Sequence, residues 1–327
     1  MLQGGICIKE KFGWAVIGSG YIVKHALNDL FKGKNHQLVS IYSRNSETAR
    51  KIAAKYNGIL CEQLEEAILM NGVDCVYIAT PHSSHFDYVI QCLNLGLPVL
   101  CEKPVCMRYS DVNRIIETSE QNKTYFSEIM SFKFSPIFQE TKSIIKQGFL
   151  GDLLSVQADI GFDAFSRTKR KRLLSAEEGG GALFDIGVYL ISFVEDFLGA
   201  TNVIDNTAIY YKKSVDIVDN VILKYGNIKC ELECRFDRIT VTQAKMNFEN
   251  GSITIPRFFQ PRNIIIKYEN ETLTLENSFS HKYQFDCTAN DIIHKKISSN
   301  IHTNASIINT VKMLEKIKCV ERSNFLT

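Results

Sequence analysis

The chain has 327 residues, 45% of them hydrophobic, with 38 Lys and Arg against 36 Asp and Glu. That length predicts two domains with cores of their own, and a net charge of +2 gives no chain-wide attraction to nucleic acid or to an anionic membrane surface. No apolar run reaches the roughly 20 residues that span a bilayer, and the opening MLQGGICIKE lacks the apolar stretch of a signal peptide, so a cytoplasmic protein without a membrane partner is expected.

The first 130 residues alternate between two periodicities. GWAVIG (13–18) reads as a strand, and 20–32 as a helix through Ile22, Ala26, Leu27 and Leu30. QLVSIYS (37–43) is a second strand, followed by the amphipathic SETARKIAAKY (46–56) with Ser46 as its expected cap. DCVYIAT (74–80), PVLCE (98–102) and TYFSEI (124–129) are further strands, with helices over 84–95 and 110–121, the latter capped by Ser110. Strands alternating with helices predict right-handed βαβ units and a doubly wound parallel sheet.

Past residue 130 the pattern changes. A helix follows Pro136, and LLSVQADIGF is a long alternating strand. A helix covers about 181–198. Then 202–276 runs through NVIDNTAIYYK, VDIVDNVILKY, IKCELECRF, ITVTQAKMNFE, NIIIKYE and ETLTLEN. Alternating faces separated by short polar turns predict a mostly antiparallel sheet with one face open. Helices near 284–297 and 304–318 end the chain. The expected fold class is α/β, with a nucleotide-binding domain over 1–130 and a second α/β domain over 131–327. The ten cysteines are scattered and mostly set in apolar runs, without any C-x-x-C, which predicts reduced packing residues and no metal site.

The first strand runs straight into GSGYIV. Gly18 permits a tight turn, Gly20 lets backbone approach a pyrophosphate, and the helix opening at Tyr21 and Ile22 offers free N–H groups to that anion. Val23 occupies the place of a third glycine. The second strand ends on Ser43 and Arg44, where an acid would hold the two ribose hydroxyls of NAD. A serine and a guanidinium suit a 2′-phosphate instead, so NADP is expected ahead of NAD.

In an open parallel sheet, ligands lie beyond the carboxyl ends of the strands. Thr80, Pro81, His82 and His85 follow one such end, and Glu102, Lys103 and Pro104 follow the next. A lysine there can stabilise charge on a substrate oxygen, while Pro104 restricts its backbone. His85, opening a helix, is the histidine expected beside the nicotinamide. In GGGALFDIGVYLI (179–191), Asp185 and Tyr189 are four apart and share one face of an otherwise apolar helix. A carboxylate and a phenol on one stripe suit proton transfer to a hydroxyl, although a satisfied buried acid and a core aromatic would give the same pattern.

Together, the glycine turn, VYIATPHSSH, VLCEKPV, residues 135–162 and GGGALFDIGVYLI resemble the Gfo/Idh/MocA family of oxidoreductases. The resemblance implies an N-terminal Rossmann domain, a C-terminal sheet that packs face to face in homodimers or homotetramers, and hydride transfer between NAD(P) and a carbinol carbon. By position it implies Lys103 as catalytic lysine, with Asp185 and Tyr189 as the substrate-binding and proton-transfer pair. Tyr189 would exchange the hydroxyl proton while Lys103 lowers its pKa. Cofactor contacts are expected at Gly18, Gly20, Tyr21, Ile22, Ser43, Arg44, Thr80, Pro81, His85, Glu102 and Lys103. Tyrosine at 189 favours aldoses, sugar alcohols or trans-dihydrodiols over inositol, and Ser135 stands where many relatives carry histidine. The basic run 167–172 (RTKRKR) reads as a solvated face, or as a border of the substrate mouth favouring acidic substrates. A non-catalytic NAD(P)-binding regulator of the same fold is the alternative function.

Overall fold

The computed structural model describes residues 11–33, 35–166, 172–212 and 214–325. Strand β1 (Phe12–Ile17) is buried at every position, the mark of a strand covered on both faces. It is followed by α1 (Tyr21–Leu30), β2 (His36–Tyr42), α2 (Ser46–Tyr56), β3 (Ile59–Cys61), α3 (Leu64–Ile68), β4 (Cys75–Ile78), α4 (His85–Asn94), β5 (Val99–Cys101), α5 (Tyr109–Gln121) and β6 (Phe126–Glu128). The six strands pair in the order β3-β2-β1-β4-β5-β6, all parallel. The order reverses between β1 and β4, and that switch point opens a crevice at the strands' carboxyl ends. The short β3 and α3 were too brief to show a period in the sequence.

The second half contains α6 (Pro136–Lys146), β7 (Leu153–Gly161), α7 (Val188–Leu198), β8 (Val203–Tyr211), β9 (Val215–Tyr225), β10 (Ile228–Arg235), β11 (Gln243–Phe248), β12 (Gly251–Pro256), β13 (Asn263–Tyr268) and β14 (Glu271–Glu276). These strands form one sheet in the order β14-β13-β12-β11-β7-β10-β9-β8, in which β7 and β10 are parallel and the other pairs antiparallel. Val156, Ala158, Leu232, Cys234, Ala244 and Met246 face a core shared with α6 and α7. Ser155, Gln157, Lys229, Glu231, Lys245 and Asn247 alternate with them on the open face. Strand β12 was hidden in the sequence because GSITIP follows its hairpin turn, Glu249–Asn250, without a break of its own.

Helices α8 (Lys282–Ile293) and α9 (Asn304–Phe325) return to the first sheet. Phe285 and Ala289 join Trp14 and Tyr77 in one core, and Ile307 and Val311 join Val112 and Ile115 in another. Further along α9, Met313, Leu314 and Ile317 enter the core of the second sheet, so one helix ties both sheets together. Trp14 Nε1–H donates to His36 Nδ1 at 3.1 Å, which leaves His36 Nε2–H to donate to Asp286, 2.7 Å away.

The helix caps differ in part from expectation. Asn45, not Ser46, caps α2, accepting from Thr48 N–H at 3.1 Å. Helix α5 begins at Tyr109, one residue before Ser110, with Arg108 at its cap and no side-chain bond there. Ser135 caps α6, with Pro136 in the first turn where its missing N–H costs nothing. Among the described residues no helix is long and apolar enough to cross a membrane.

Candidate active site

The crevice begins at the glycine turn. Gly18 has φ +111°, and a Cβ on it would stand 2.4 Å from Ala79 O, so only glycine lets β1 and β4 run this close. A Cβ on Gly20 would meet nothing within 4 Å. Tyr21 beside it is 65% exposed, while Val23 is fully buried and Ile22 packs at the core's margin. The start of α1 has no side-chain cap. Uncapped N–H groups facing open space over a side-chain-free turn fit a pyrophosphate. Ser43 Oγ lies 2.8 Å from Ser19 Oγ and accepts from Asn45 N–H at 3.2 Å, tying the end of β2 to the glycine turn. Arg44 is exposed and makes no ion pair among the described residues.

Lys103, on the loop after β5, forms a cis peptide bond with Pro104. Its Nζ donates to Asp185 O and lies 3.5 Å from Asp185 Oδ1. It also sits over the Tyr189 ring, 4.8 Å from the centroid. Asp185 occupies a π-helical turn, Leu183–Gly187, that leads into α7. A wider turn still leaves residues four apart on one side, and π turns recur at functional sites. This turn is anchored from β9, where Asp216 Oδ2 accepts Leu183 N–H at 2.7 Å. Gly181 passes so close that a Cβ would meet Asp216 Oδ1 at 2.6 Å.

Asp185 is the electrostatic centre of this cluster. Burial pushes its carboxyl up, but Lys103, then Arg172 and His82, outweigh burial and bring it down to about 2. Arg172 Nη2 is 3.6 Å away and His82 Nε2 3.7 Å. Burial drives His82 down to about 3 against the pull of Asp185, so the imidazole is neutral at physiological pH. Tyr189 departs from expectation. Burial first, then the carboxylates of Glu102, Asp185 and Glu128, hold its phenol well above the usual range. Lys103, expected to lower that pKa, lies over the ring face.

Two residues named from sequence as cofactor contacts are engaged by the protein itself. Glu102 is 6% exposed and accepts from Tyr77 OH at 2.7 Å. His85 is fully buried, with Nδ1 2.9 Å from Pro104 O and Nε2 2.8 Å from Thr80 O. It joins the two crevice loops, the one through Thr80 and Pro81 and the one through Lys103. Thr80 Oγ1 accepts from Ser84 Oγ at 2.9 Å, and Pro81 O accepts from Ser84 N–H at 3.0 Å. His82, rather than His85, reaches the acid. Ser135 is fully buried at its cap.

Sequence reasoning missed Glu128. It ends β6 fully buried, accepts Val105 N–H at 2.8 Å and lies 3.0 Å from His302 Nε2, bracing the loop that carries Lys103. Its signal was available, since an acid closing an apolar strand is the same feature that marked Glu102. Arg172 is the last residue of the basic run; Arg167 to Lys171 lie outside the described residues.

The comparisons with known proteins agree with the two-part fold. Residues 12–129 match the Gfo/Idh/MocA oxidoreductase family, NAD-binding Rossmann fold, and residues 138–254 match the Gfo/Idh/MocA C-terminal domain. The trans-1,2-dihydrobenzene-1,2-diol dehydrogenase of Xenopus tropicalis is 30% identical over 80% of this chain and 78% of its own length. The NADP(+) scyllo-inositol 2-dehydrogenase of Bacillus subtilis is 28% identical over 80% of each. Among solved structures, aldose-aldose oxidoreductase from Caulobacter crescentus has the same fold, with TM-score 0.86 at 20% identity over 96% of this chain and 98% of that one. So does a 3-ketoreductase from Actinomadura kijaniata, solved with NADP, with TM-score 0.84 at 19% identity over 94% and 97%. With a glycine turn after its first strand and an amine at the end of β5 facing an acid and a phenol from a distant helix, the chain is a member of the Gfo/Idh/MocA family of NAD(P)-dependent oxidoreductases.

Proposed function

We propose that this oxidoreductase uses NADP(H) and acts on a hydroxyl-bearing carbon of a sugar, polyol or trans-dihydrodiol, or on its carbonyl counterpart. One observation carries the reading: the Lys103 ammonium lies over the Tyr189 ring and beside Asp185 at the carboxyl end of β5. When bound, the dinucleotide supplies or accepts the hydride. Lys103 donates to the substrate oxygen and stabilises the negative charge that grows there. Tyr189, kept protonated, gives its proton to that oxygen in the reductive direction. Asp185 holds Lys103 in place and accepts from a substrate hydroxyl. The NADP preference is supported by Ser43 and the exposed Arg44, and by the NADP named with the B. subtilis relative and the A. kijaniata structure.

The test is the absorbance of reduced nicotinamide with a panel of aldoses, polyols and trans-diols, and with their ketones. Turnover of at least one class is expected, with NADP ahead of NAD; tight binding of NADPH with no turnover of any would return the chain to the regulator alternative. Assembly as a homodimer or homotetramer through the second sheet is supported by its open polar face, and light scattering measures it. A cytoplasmic location is supported by nine described cysteines, all free thiols; a fluorescent fusion followed in cells tests it.

A further inference from the structure

We propose that the substrate carries an anionic group, a carboxylate or a phosphoryl, and that Arg172 receives it. The inference rests on the oxidoreductase reading above and names the substrate class of that same site. A guanidinium presents five donors in a planar fork that matches the oxygens of either anion in pairs. In Arg172 one of those donors is unsatisfied among the described residues. Its closest acidic oxygen is Asp185 Oδ1 at 3.6 Å, beyond hydrogen-bond distance. Its Nη1 is enclosed and has no hydrogen-bond partner. An enclosed donor left unpaired is costly, and a ligand oxygen would remove that cost. The side chain is nevertheless 41% exposed, so it borders open space and is not sealed in the core.

The charges around Arg172 point the same way. Asp185 is one carboxylate facing two cations, Lys103 at 3.5 Å and Arg172. His82 is neutral because burial suppresses its protonation. The other nearby acids make their hydrogen bonds elsewhere, Glu102 with Tyr77 OH and Glu128 with Val105 N–H and His302. No second carboxylate among the described residues pairs with Arg172, so an anion can take the donor that Asp185 does not reach, where a neutral polyol offers only a weaker, uncharged acceptor. Both cations approach the same carboxylate oxygen, so the anionic group and the reacting carbinol belong to one small molecule with few atoms between them. Hydroxy acids, uronates and sugar phosphates have that form.

The experiment measures binding to the NADPH-loaded protein in matched pairs: gluconate against sorbitol, glucuronate against glucose, and glucose 6-phosphate against glucose. Fluorescence of the bound NADPH is the readout at low salt and at high salt. We expect at least one anion to bind tenfold or more tightly than its neutral partner, with the advantage shrinking as salt rises. The carboxylate and phosphoryl arms show which anion is preferred. In Arg172→Gln the anion's advantage should fall to near one, and Arg172→Lys should restore part of it. Thermal melts of both variants show that they fold. The inference is overturned if no anion exceeds its neutral partner, or if Arg172→Gln weakens both members of a pair alike. Those outcomes leave the oxidoreductase reading standing. That reading fails separately if the protein binds NADPH and neither oxidises nor reduces any compound of the broader panel.

Discussion

Lys133, in the turn before α6, is fully buried. Its ammonium donates to Ser306 Oγ at 2.9 Å and lies 3.3 Å from Asp196 and 3.6 Å from Glu195. Lys103 is nearly as enclosed, with a side-chain exposure of 12%, but its partners are the backbone oxygen and one marginal carboxylate oxygen of a single residue, and it rests on an aromatic face. At Lys133 a hydrogen bond and two flanking carboxylates compensate the charge, whereas Lys103 has one carboxylate and keeps donor capacity beside a crevice. Burial of an ammonium therefore does not distinguish a structural charge from a reactive one; what distinguishes them is whether the protein has already satisfied it. Each lysine also has a buried histidine held neutral nearby: His82 beside Lys103 and His302 beside Lys133.

Methionine at the two positions tests this contrast most severely. Lys103→Met should lower kcat by about 10²–10³-fold, the scale of losing a positioned charge-stabilising donor. NADPH binding and the melting temperature should stay near wild type. A variant retaining near-full turnover would remove Lys103 from the chemistry. Lys133→Met should do the reverse. It leaves Glu195 and Asp196 buried with less compensation, costing about 3–5 kcal/mol of stability, while kcat per folded molecule changes little. Urea unfolding beside single-concentration turnover separates the two.

The histidines sharpen the contrast through pH. Below pH 6.5 the unfolded chain binds a proton at His82 that the folded site refuses down to about 3. The unfolded state then holds more protons, so stability falls as pH drops through that window. Between pH 6.5 and 5, His82 alone accounts for on the order of 2 kcal/mol. His85 and His302 are lowered in the same direction, so His82→Gln should make the slope shallower without abolishing it. An unchanged slope would contradict the neutral, buried state of His82.

Smaller effects are expected away from the reacting groups. Glu128→Gln keeps an acceptor for Val105 N–H but removes the charge facing His302, and should cut kcat about tenfold, within the ~0.5–3 kcal/mol expected of a disturbed buried network, with KM for NADPH unchanged. A shift in cofactor KM instead would place Glu128 outside the Lys103 loop's control. Arg44→Glu should raise KM for NADP roughly tenfold, about 1.4 kcal/mol, and lower it for NAD. Equal changes for both cofactors would sever Arg44 from the 2′-phosphate.

Much of the site was legible because residue type and position within an element are local properties. An apolar strand ending on Glu-Lys-Pro, a strand running into Gly-Ser-Gly, and an acid and a phenol four apart are all visible in a few residues. What stayed hidden lay where two distant loops compete for one place. His82 and His85 are three residues apart after the same strand, and no local feature says which ring meets Asp185. The answer comes from Gly179 O, 3.2 Å from His82 Nδ1, and from Pro104 O and Thr80 O, which occupy both nitrogens of His85. The pKa of Tyr189 was misjudged for a similar reason. Lys103 was expected to lower it, but the ammonium lies over the ring, and the carboxylates of Glu102 and Glu128 could not be counted until β5 and β6 stood side by side.

Apart from the short β3 and α3 and the hidden β12, the order of strands and helices, the cofactor turn and the chemical identity of the amine, acid and phenol were determined by the amino-acid sequence alone, since each follows from local periodicity or from a residue's own chemistry. The tertiary structure alone decided that α8 and α9 return to cover the first sheet, that Glu128 braces the Lys103 loop from the neighbouring strand, and that Arg172 flanks Asp185 with one enclosed donor unpaired among the described residues. These depend on contacts between segments far apart in the chain, where close packing and the balance of buried charge choose among placements that local propensity leaves equal.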